Sequence, residues 1–479
     1  MGWSKATRIA APNIVPYFTL IGAVQLVGAT VALMSPTVER NEFAGIYDRV
    51  HPAVAIVSTE AHCRLAAECA PYTHVMTVTC LVDGVPSVER AWKGSAAWDG
   101  LAFDDDPKFI LFTSGSTGTP KAVQLRGSSF CRHAGELTRA LQVQAGEVFF
   151  IPVPFAHVYG VVALHTALSH HATVATLVKY RPEQAMSLIT SVHANVYLGV
   201  STMYLRELRE NQNGEWDLSC LRAGLVAGAT SPLAVFEEYE KRYGATLVNS
   251  YGMTETAAPF AATRVTDNVI GTVGQPAPGS SIRISDEGEL QVKGPNVFRG
   301  YHNLPEKTAE AFTADGWLRT GDLAEIDDEG HIVITGRIKD IIITAGGKNV
   351  SPIPLEEEIA KCPIVEHCVV VGDQRPFIGA LVTLDPESLA LWLPAHGLST
   401  ETPVDRLATN AAVREEIQQY VDKANATVSR AESVRKFAVL DTQFTQENKC
   451  LTPSLKVVRP AVNRVFADVI DNEIYNGKR

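Results

Sequence analysis

Residues 109–123, FILFTSGSTGTPKAV, carry side chains that suit phosphate binding. A short apolar run leads into hydroxyl side chains, two glycines and a lysine, and a second apolar run follows. Backbone N–H groups, hydroxyls and an ammonium group in so short a loop can surround a phosphate. The Walker A pattern does not fit, and a flexible hairpin loop is the alternative. The candidate phosphate-binding residues are Thr113, Ser114, Gly115, Ser116, Thr117, Gly118 and Lys121.

This loop and the motifs that follow it resemble those of the AMP-forming adenylating enzymes. That superfamily includes acyl-CoA synthetases, adenylation domains of peptide synthetases and luciferases. The resemblance extends from about residue 8 to the end of the chain, with the motifs in the family's order. It implies that ATP with Mg²⁺ activates a carboxylic acid to an acyl-adenylate, and that CoA then accepts the acyl group.

The segment YGMTE, residues 251–255, is similar to the most diagnostic short motif of this family. The resemblance implies that Tyr251 stacks on adenine beside Gly252, Thr254 contacts the α-phosphate, and Glu255 helps to hold Mg²⁺. An aromatic face suits a base, and a carboxylate suits a hard cation. Without the phosphate loop, Tyr251 would be interpreted as a core aromatic residue and Glu255 as a charge at a helix start. The loop along one side of the adenine would be Gly228, Ala229 and Thr230.

Two further motifs resemble the family's ribose site and hinge. Asp322, in WLRTGD, would accept hydrogen bonds from both ribose hydroxyls, although a turn aspartate is the simpler interpretation. Arg337, in GRIKD, would also reach the nucleotide, and Lys339 matches the family's hinge position.

The remaining motifs imply an acid pocket, a lysine for the adenylation step and a glycine loop for the thioester step. His157, in PFAHVYG, would line the acid pocket, although a lone histidine is more often a core residue. Lys456, in LTPSLK, would bridge the acid and the α-phosphate, a role that depends wholly on the motif. Gly346 and Gly347, in AGGKN, would enter for the thioester step. The implied catalytic residues are Lys456, Thr254, Glu255, His157 and Lys121.

The elements that must position these residues predict an α/β fold of several parts. Apolar runs such as ANVYLGV, residues 194–200, alternate with amphipathic stretches over about 260 residues, which indicates largely parallel sheets. Residues 1–338 are predicted to form the N-terminal domain, with a β-rich subdomain at about 271–336. Residues 339–479 are predicted to form a smaller mobile α+β domain.

Local patterns add details to this scheme. A strand is predicted at 223–227, followed by a helix capped by Ser231 and ended by Gly244. Further strands are expected within 50–58, 108–114 and 172–178. Two C-terminal helices follow from apolar spacing, one from Val413 to Val428 and one from Val462 to Ile470, and residues 398–411 are expected to be a polar loop.

The N-terminal run at residues 14–34 allows two interpretations. Its length and apolar character suit a membrane span, and Lys5 and Arg8 ahead of it give a signal-peptide pattern. Gln25 and Gly28 favour instead a buried helix from about Pro16, followed by a strand ending at Met34. Members of the family that the chain resembles normally carry several dozen residues before the stretch that matches Arg8 to Pro36, so either the start codon lies further upstream or the chain is a shortened form.

Composition excludes some classes of function. The 42 basic and 53 acidic residues give a net charge of −11, which does not suit a general nucleic-acid binder. The eight cysteines form no C-x-x-C pair, and scattered thiols fit a cytoplasmic protein without a disulfide framework.

The substrate and acceptor remain open among several alternatives. Residues 340–359 and 449–466 look most like long-chain fatty acyl-CoA synthetases, with an apolar acid pocket around 196–203 and 224–229. The alternatives are an aryl- or short-chain acid ligase, an acyl-AMP ligase that delivers to a carrier protein, and a non-catalytic nucleotide or acyl binder. Peripheral membrane contact and a homodimer also stay open.

Overall fold

The computed structural model describes residues 6–10, 13, 16–26, 28–35, 38, 40–57, 74–79, 87–88, 107–113, 120–228, 233–451 and 457–476. Its strands up to residue 262 are, in chain order, β1 (Ala6–Ala10), β2 (Thr30–Met34), β3 (Val54–Val57), β4 (His74–Thr79), β5 (Ser87–Val88), β6 (Pro107–Thr113), β7 (Lys121–Arg126), β8 (Val148–Phe150), β9 (Thr173–Ala175), β10 (Val196–Gly199), β11 (Ala223–Ala227), β12 (Thr246–Tyr251) and β13 (Ala261–Ala262). The later strands are β14 (Gln275–Pro276), β15 (Ser281–Ile284), β16 (Glu289–Lys293), β17 (Gly300–Tyr301), β18 (Leu318–Ile326), β19 (Ile332–Arg337), β20 (Ile342–Ile343), β21 (Asn349–Val350), β22 (Val365–Val371), β23 (Ile378–Leu384) and β24 (Val434–Leu440).

The described helices that have at least seven residues are Pro16–Leu26, Arg40–Val50, Gly127–Leu141, Val158–Ser169, Pro182–Val192, Ser201–Glu210, Leu233–Tyr243, Ile353–Ile359, Pro386–Ala395, Ala411–Ala426 and Arg459–Val465. Shorter helices span Pro305–Glu310, Val404–Ala408 and Ala467–Val469. The 3-10 turns Thr254–Thr256 and Ile338–Asp340 and the π turn Ile470–Tyr475 complete the set.

Two large mixed sheets dominate the N-terminal part. The first has the order β17-β7-β6-β2-β1-β3-β4-β5, parallel in its middle and antiparallel at both ends. The second has the order β14-β13-β12-β11-β10-β8-β9, with parallel pairing from β12 to β9. The carboxyl ends of β10, β11 and β12 therefore meet at one edge, where ligands of open α/β sheets usually bind.

A smaller antiparallel sheet, β15-β16-β18-β19, follows these two sheets, and β22-β23-β24 lies in the C-terminal part. The arrangement confirms the predicted α/β class with a β-rich region and a separate C-terminal region. The exact domain limits remain a prediction.

The N-terminal apolar run is a core helix and strand. Tyr17, Ile21 and Val24 on helix Pro16–Leu26 are buried, and every residue of β2 is buried. The predicted buried helix and strand are therefore confirmed. No helix among the described residues is long and apolar enough to cross a membrane.

Several local predictions need correction. The strand expected at 172–178 shortens to Thr173–Ala175, and helix Val404–Ala408 occupies part of the expected polar loop because Leu407 packs into the core. The helix from Ala411 ends at Ala426, before Val428. The pattern from Val462 to Ile470 spans a break at Phe466 rather than one helix. Ser231 and Pro232 lie outside the described residues, whereas the helix that was expected to follow them, Leu233–Tyr243, does end at Gly244.

The C-terminal part contacts the N-terminal part through helix Ser201–Glu210. Arg209 forms an ion pair with Asp385 and donates to the carbonyl of Val365 at 3.2 Å. Arg206 lies 3.3 Å from Glu366. The arginine–aspartate pair is mostly buried, with side-chain exposures of 15% and 10%, so this helix forms a defined contact surface.

Gly274 joins the second sheet to the antiparallel sheet. It has φ +77°, and a Cβ there would lie 2.1 Å from the backbone of Ala262. We expect Gly274→Ala to lower the free energy of unfolding by about 3 kcal/mol or more, because strain and overlap add. Gly279→Ala is the matched control, since its φ is +82° with open space around it, and it should cost about 1 kcal/mol. Equal losses in urea denaturation would contradict the packing argument.

Candidate active site

A buried carboxylate connects three of the predicted nucleotide residues. Antiparallel pairing of β18 with β19 sets Asp322 opposite Arg337. Arg337 Nε donates to Asp322 Oδ1 at 2.6 Å, and the hydroxyl of Tyr251 donates to Oδ2 at 2.6 Å. Asp322 is only 6% exposed, whereas about half of the Arg337 side chain faces solvent. The structure thus brings together Tyr251, Asp322 and Arg337 from two different sheets.

The phenol of Tyr251 is held in its donor form. Burial, together with the negative charge of Asp322, raises the pKa of Tyr251 well above its usual value. The protonated hydroxyl and the Arg337 guanidinium fix the orientation of the carboxylate. An oriented, acceptor-only group beside an aromatic ring can select a nucleoside by its base and its ribose hydroxyls.

A second set of hydrogen bonds links Lys121, at the end of the phosphate loop, to Glu255, the predicted metal ligand. Tyr301 donates its hydroxyl to Glu255 Oε1 at 2.8 Å and accepts a hydrogen bond from Lys121 Nζ at 3.3 Å. Lys121 Nζ also lies 4.5 Å from the centre of the Tyr301 ring. Pairing of β17 with β7, in which Tyr301 faces Val123, brings this residue beside the start of β7. Sequence reasoning missed Tyr301, because no motif connects it to Lys121.

The turn that carries Thr254 and Glu255 is held from several directions. Phe298 N donates to the carbonyl of Glu255 at 2.8 Å, and His133 Nε2 lies 2.8 Å from the carbonyl of Thr256. Burial lowers the pKa of His133 to about 4, so the ring is neutral at pH 7 and its Nε2–H donates. Gly252 is required because a Cβ there would lie 2.8 Å from the backbone of Ala258. His133 was also absent from the sequence predictions.

The predicted acid-pocket histidine lies at the start of a helix. His157 is the N-cap of helix Val158–Ser169 and accepts a hydrogen bond from Tyr159 N at 3.3 Å. Tyr159 donates to the carbonyl of Gly199, at the carboxyl end of β10, and to that of Leu225, in the middle of β11, which places this helix start beside these two strands. Gly228 directly follows the carboxyl end of β11.

The other candidate residues fall into three groups. Thr113 ends β6 opposite Lys121 on β7, as a phosphate loop between these strands requires. Lys339 is exposed in the turn Ile338–Asp340. Gly346 and Gly347 are exposed, and the backbone hydrogen bonds of their loop run within itself and to the carbonyl of Arg375. Lys348 of this loop forms an ion pair with Glu432. The candidates outside the described residues are Ser114, Gly115, Ser116, Thr117, Gly118, Ala229, Thr230 and Lys456.

A buried polar cluster lies behind the predicted acid pocket. Glu207, on helix Ser201–Glu210, is completely buried and accepts hydrogen bonds from Tyr180, Tyr197 and Tyr239 at 3.0, 2.9 and 3.1 Å. Burial raises the pKa of Glu207 to about 8, against the opposing effect of its phenol donors. Helical spacing could place Glu207 on a face of the helix but not identify its distant partners.

The family comparison assigns the chain to a known group. The family model described as AMP-binding enzyme matches residues 5–302, and the model described as AMP-binding enzyme C-terminal domain matches residues 339–479. The chain therefore belongs to the AMP-binding enzyme family. The superfamily predicted from the phosphate loop and the YGMTE segment is confirmed.

Similar proteins indicate which class of AMP-binding enzyme this chain represents. The long-chain-fatty-acid–CoA ligase FadD15 of Mycobacterium tuberculosis is 32% identical over 95% of this chain and 85% of that protein. A 3-[(3aS,4S,7aS)-7a-methyl-1,5-dioxo-octahydro-1H-inden-4-yl]propanoyl:CoA ligase of Rhodococcus jostii is 29% identical over 76% of each chain. With the family match, these relatives confirm the prediction of an AMP-forming acid–CoA ligase.

Solved structures agree on the fold. ATP-bound MatB from Rhodopseudomonas palustris aligns with 98% of this chain and 90% of that chain, with a TM-score of 0.79 and 24% identity. The o-succinylbenzoate coenzyme A synthetase MenE from Bacillus subtilis, in complex with ATP and magnesium ion, aligns with 95% of this chain and 88% of that chain, with a TM-score of 0.75 and 22% identity. At these identities the likeness establishes the fold.

Asp322 provides a direct test of the nucleotide site. We expect Asp322→Asn to weaken AMP binding about tenfold to a hundredfold, because charge-assisted hydrogen bonds of about 1.5–3 kcal/mol are lost. Calorimetric titration with AMP measures the change. Glu325→Gln, an exposed change on the same strand, is the control and should leave affinity within twofold. Unchanged AMP affinity in Asp322→Asn would contradict the assignment.

The raised pKa of Glu207 predicts that the free energy of unfolding depends on pH. The unfolded chain releases the Glu207 proton near its ordinary pKa, whereas the folded chain holds it to about pH 8. Stability from this group is therefore present at low pH and falls as pH rises toward 8, by at most about 1.4 kcal/mol per pH unit.

Urea denaturation at several pH values tests this dependence. Glu207→Gln cannot titrate, so its free energy of unfolding relative to the wild type should rise between pH 5 and pH 8. The exposed change Glu215→Gln should run parallel to the wild type across this range. A constant difference between wild type and Glu207→Gln would contradict the raised pKa.

Proposed function

We propose that this AMP-forming acid–CoA ligase activates a medium- or long-chain fatty acid and transfers it to CoA. The observation that carries the proposal is the presence of two hydrogen-bonded groups, Tyr251–Asp322–Arg337 and Lys121–Tyr301–Glu255, which the short segment from Tyr251 to Glu255 connects. The first has the chemistry for a nucleoside and the second has the chemistry for phosphate and metal.

Nucleoside binding uses the first group. The ring of Tyr251 offers a face for adenine, and the oriented carboxylate of Asp322 accepts from the ribose hydroxyls. Gly228 provides a Cβ-free edge beside the base, continued by Ala229 and Thr230. Arg337 supports Asp322 and faces the solvent side, where the nucleotide enters.

Adenylation requires two anions to meet. A carboxylate oxygen of the acid attacks the α-phosphorus of ATP, an acyl–phosphate bond forms, and the bond to pyrophosphate breaks. Lys456, Lys121, Thr254 and the loop amides neutralise the charge that develops. Mg²⁺, when bound with ATP, neutralises further phosphate charge. Glu255 would hold that ion, because its carboxylate offers the hard oxygen ligand that Mg²⁺ prefers.

Thioester formation follows at the same acyl carbon. The CoA thiolate attacks the carbonyl carbon of the acyl-adenylate, the thioester forms, and AMP leaves with the electron pair of the cleaved acyl–oxygen bond. The C-terminal region turns about Lys339, which withdraws Lys456 and brings in Gly346 and Gly347. The exposure of Lys339 and of the glycine loop supports this movement.

The choice of a fatty acid is supported by sequence and relatives. Residues 340–359 and 449–466 carry the long-chain pattern, and FadD15 is named a long-chain-fatty-acid–CoA ligase. His157, the carboxyl end of β10 and the neighbouring part of β11 form the proposed acid pocket. Scattered cysteines support a cytoplasmic location.

The direct test is pyrophosphate release from ATP and Mg²⁺ with a panel of fatty, aryl and short-chain acids, with and without CoA. We expect fatty acids to support release, with acyl-CoA and AMP formed only when CoA is added. Adenylate formation that is indifferent to CoA would indicate delivery to a carrier protein. Nucleotide binding without turnover of any acid would indicate a non-catalytic binder.

Lys456→Met separates the two steps. We expect adenylate formation to fall by about 10²–10³-fold, since one stabilising charge is lost from the transition state. Conversion of supplied acyl-adenylate to acyl-CoA should change little. Lys449→Met, an exposed change in the same segment, is the matched control. Equal loss in both half-reactions would contradict the assigned role.

A further inference from the structure

We propose that Tyr301 is a positioning residue that keeps Lys121 and Glu255 from pairing with each other. The inference rests on the proposed function, in which Lys121 meets phosphate and Glu255 meets Mg²⁺. It assigns a role in ATP–metal binding to a tyrosine that lies outside every motif identified in the sequence.

The contacts place a neutral group between two opposite charges. The Tyr301 hydroxyl donates to Glu255 Oε1 at 2.8 Å and accepts from Lys121 Nζ at 3.3 Å. A tyrosine hydroxyl ordinarily keeps its proton at neutral pH, so it can donate to the Glu255 carboxylate. Among the described residues no ion pair joins Lys121 to Glu255 directly. Each charged group is therefore oriented by the phenol without being neutralised by the other.

The Tyr301 side chain is positioned by contacts of its backbone and its ring, and not only by Lys121 and Glu255. Tyr301 N donates to Thr308 Oγ1 at 2.9 Å, and β17 pairs with β7 on the other side. The Phe298 ring packs edge-on against the Tyr301 ring at 4.8 Å, and Phe298 N holds the carbonyl of Glu255. The position of the phenol is thus fixed before a ligand binds.

Removal of the hydroxyl should change the partners of both charges. Tyr301→Phe removes the hydroxyl that contacts both the ammonium of Lys121 and the carboxylate of Glu255, and opposite charges in a partly buried site attract strongly. A direct pair would compete with Mg²⁺ for Glu255 and with phosphate for Lys121. Affinity for metal and affinity for metal-free nucleotide should both fall.

The test measures binding rather than turnover. Mn²⁺ is titrated into the full-length protein with a saturating non-hydrolysable ATP analogue, and free Mn²⁺ is followed by electron paramagnetic resonance. We expect the Mn²⁺ dissociation constant to rise about tenfold in Tyr301→Phe, the scale of one charge-assisted hydrogen bond. Tyr420→Phe removes a phenol hydroxyl from helix Ala411–Ala426 in the C-terminal part and should stay within about twofold of wild type.

The same substitution in a Lys121→Met variant tests whether Tyr301 acts by keeping Lys121 and Glu255 apart. In a Lys121→Met background no ammonium remains to pair with Glu255, so the same Tyr301→Phe change should alter Mn²⁺ affinity less than twofold. An equal effect in both backgrounds, or none in either, would overturn the inference. Failure of the wild-type protein to bind the Mn²⁺–nucleotide complex would instead overturn the proposed function.

Discussion

The site depends on one buried carboxylate, that of Asp322. Its oxygens accept from Tyr251 in one sheet and from Arg337 at the end of another, and Arg337 directly precedes the turn Ile338–Asp340. A carboxylate with 6% exposure is stable only when its acceptors are satisfied. Because both donors come from other segments, the second sheet and the antiparallel sheet must keep a fixed relation up to Arg337, which lies two residues before the predicted hinge at Lys339.

Much of the site could be predicted from the sequence because its residues occur in short continuous motifs. Tyr251, Glu255, Asp322 and Arg337 were identified in this way. Strand pairing sets Asp322 opposite Arg337, and Asp322 also accepts from Tyr251 of another sheet. Tyr301 could not be identified, since it is 180 residues from Lys121 and its importance arises only from contacts. The roles given to these residues remain predictions.

The fold could be predicted where local pattern and burial agree. The core helix Pro16–Leu26 and strand β2 were correct because their apolar residues are continuous and bounded by glycine and proline. Helix Val404–Ala408 was missed because only Leu407 among its residues is buried, which leaves no apolar period. The break at Phe466 was missed since the apolar spacing continues through the irregular turn. Tertiary packing, which the spacing does not contain, decided both cases.

Helix Ser201–Glu210 contributes both to the proposed acid pocket and to the contact with the C-terminal part. It starts directly after β10, at the proposed acid pocket, and its arginines hold Glu366 and Asp385 of the C-terminal part. Ten residues of helix span about 15 Å as a rigid rod. A substitution that reshapes the pocket at one end would therefore also move the surface on which the C-terminal part rests. Under the proposed function, changes in substrate range and changes in domain movement would be coupled through this helix.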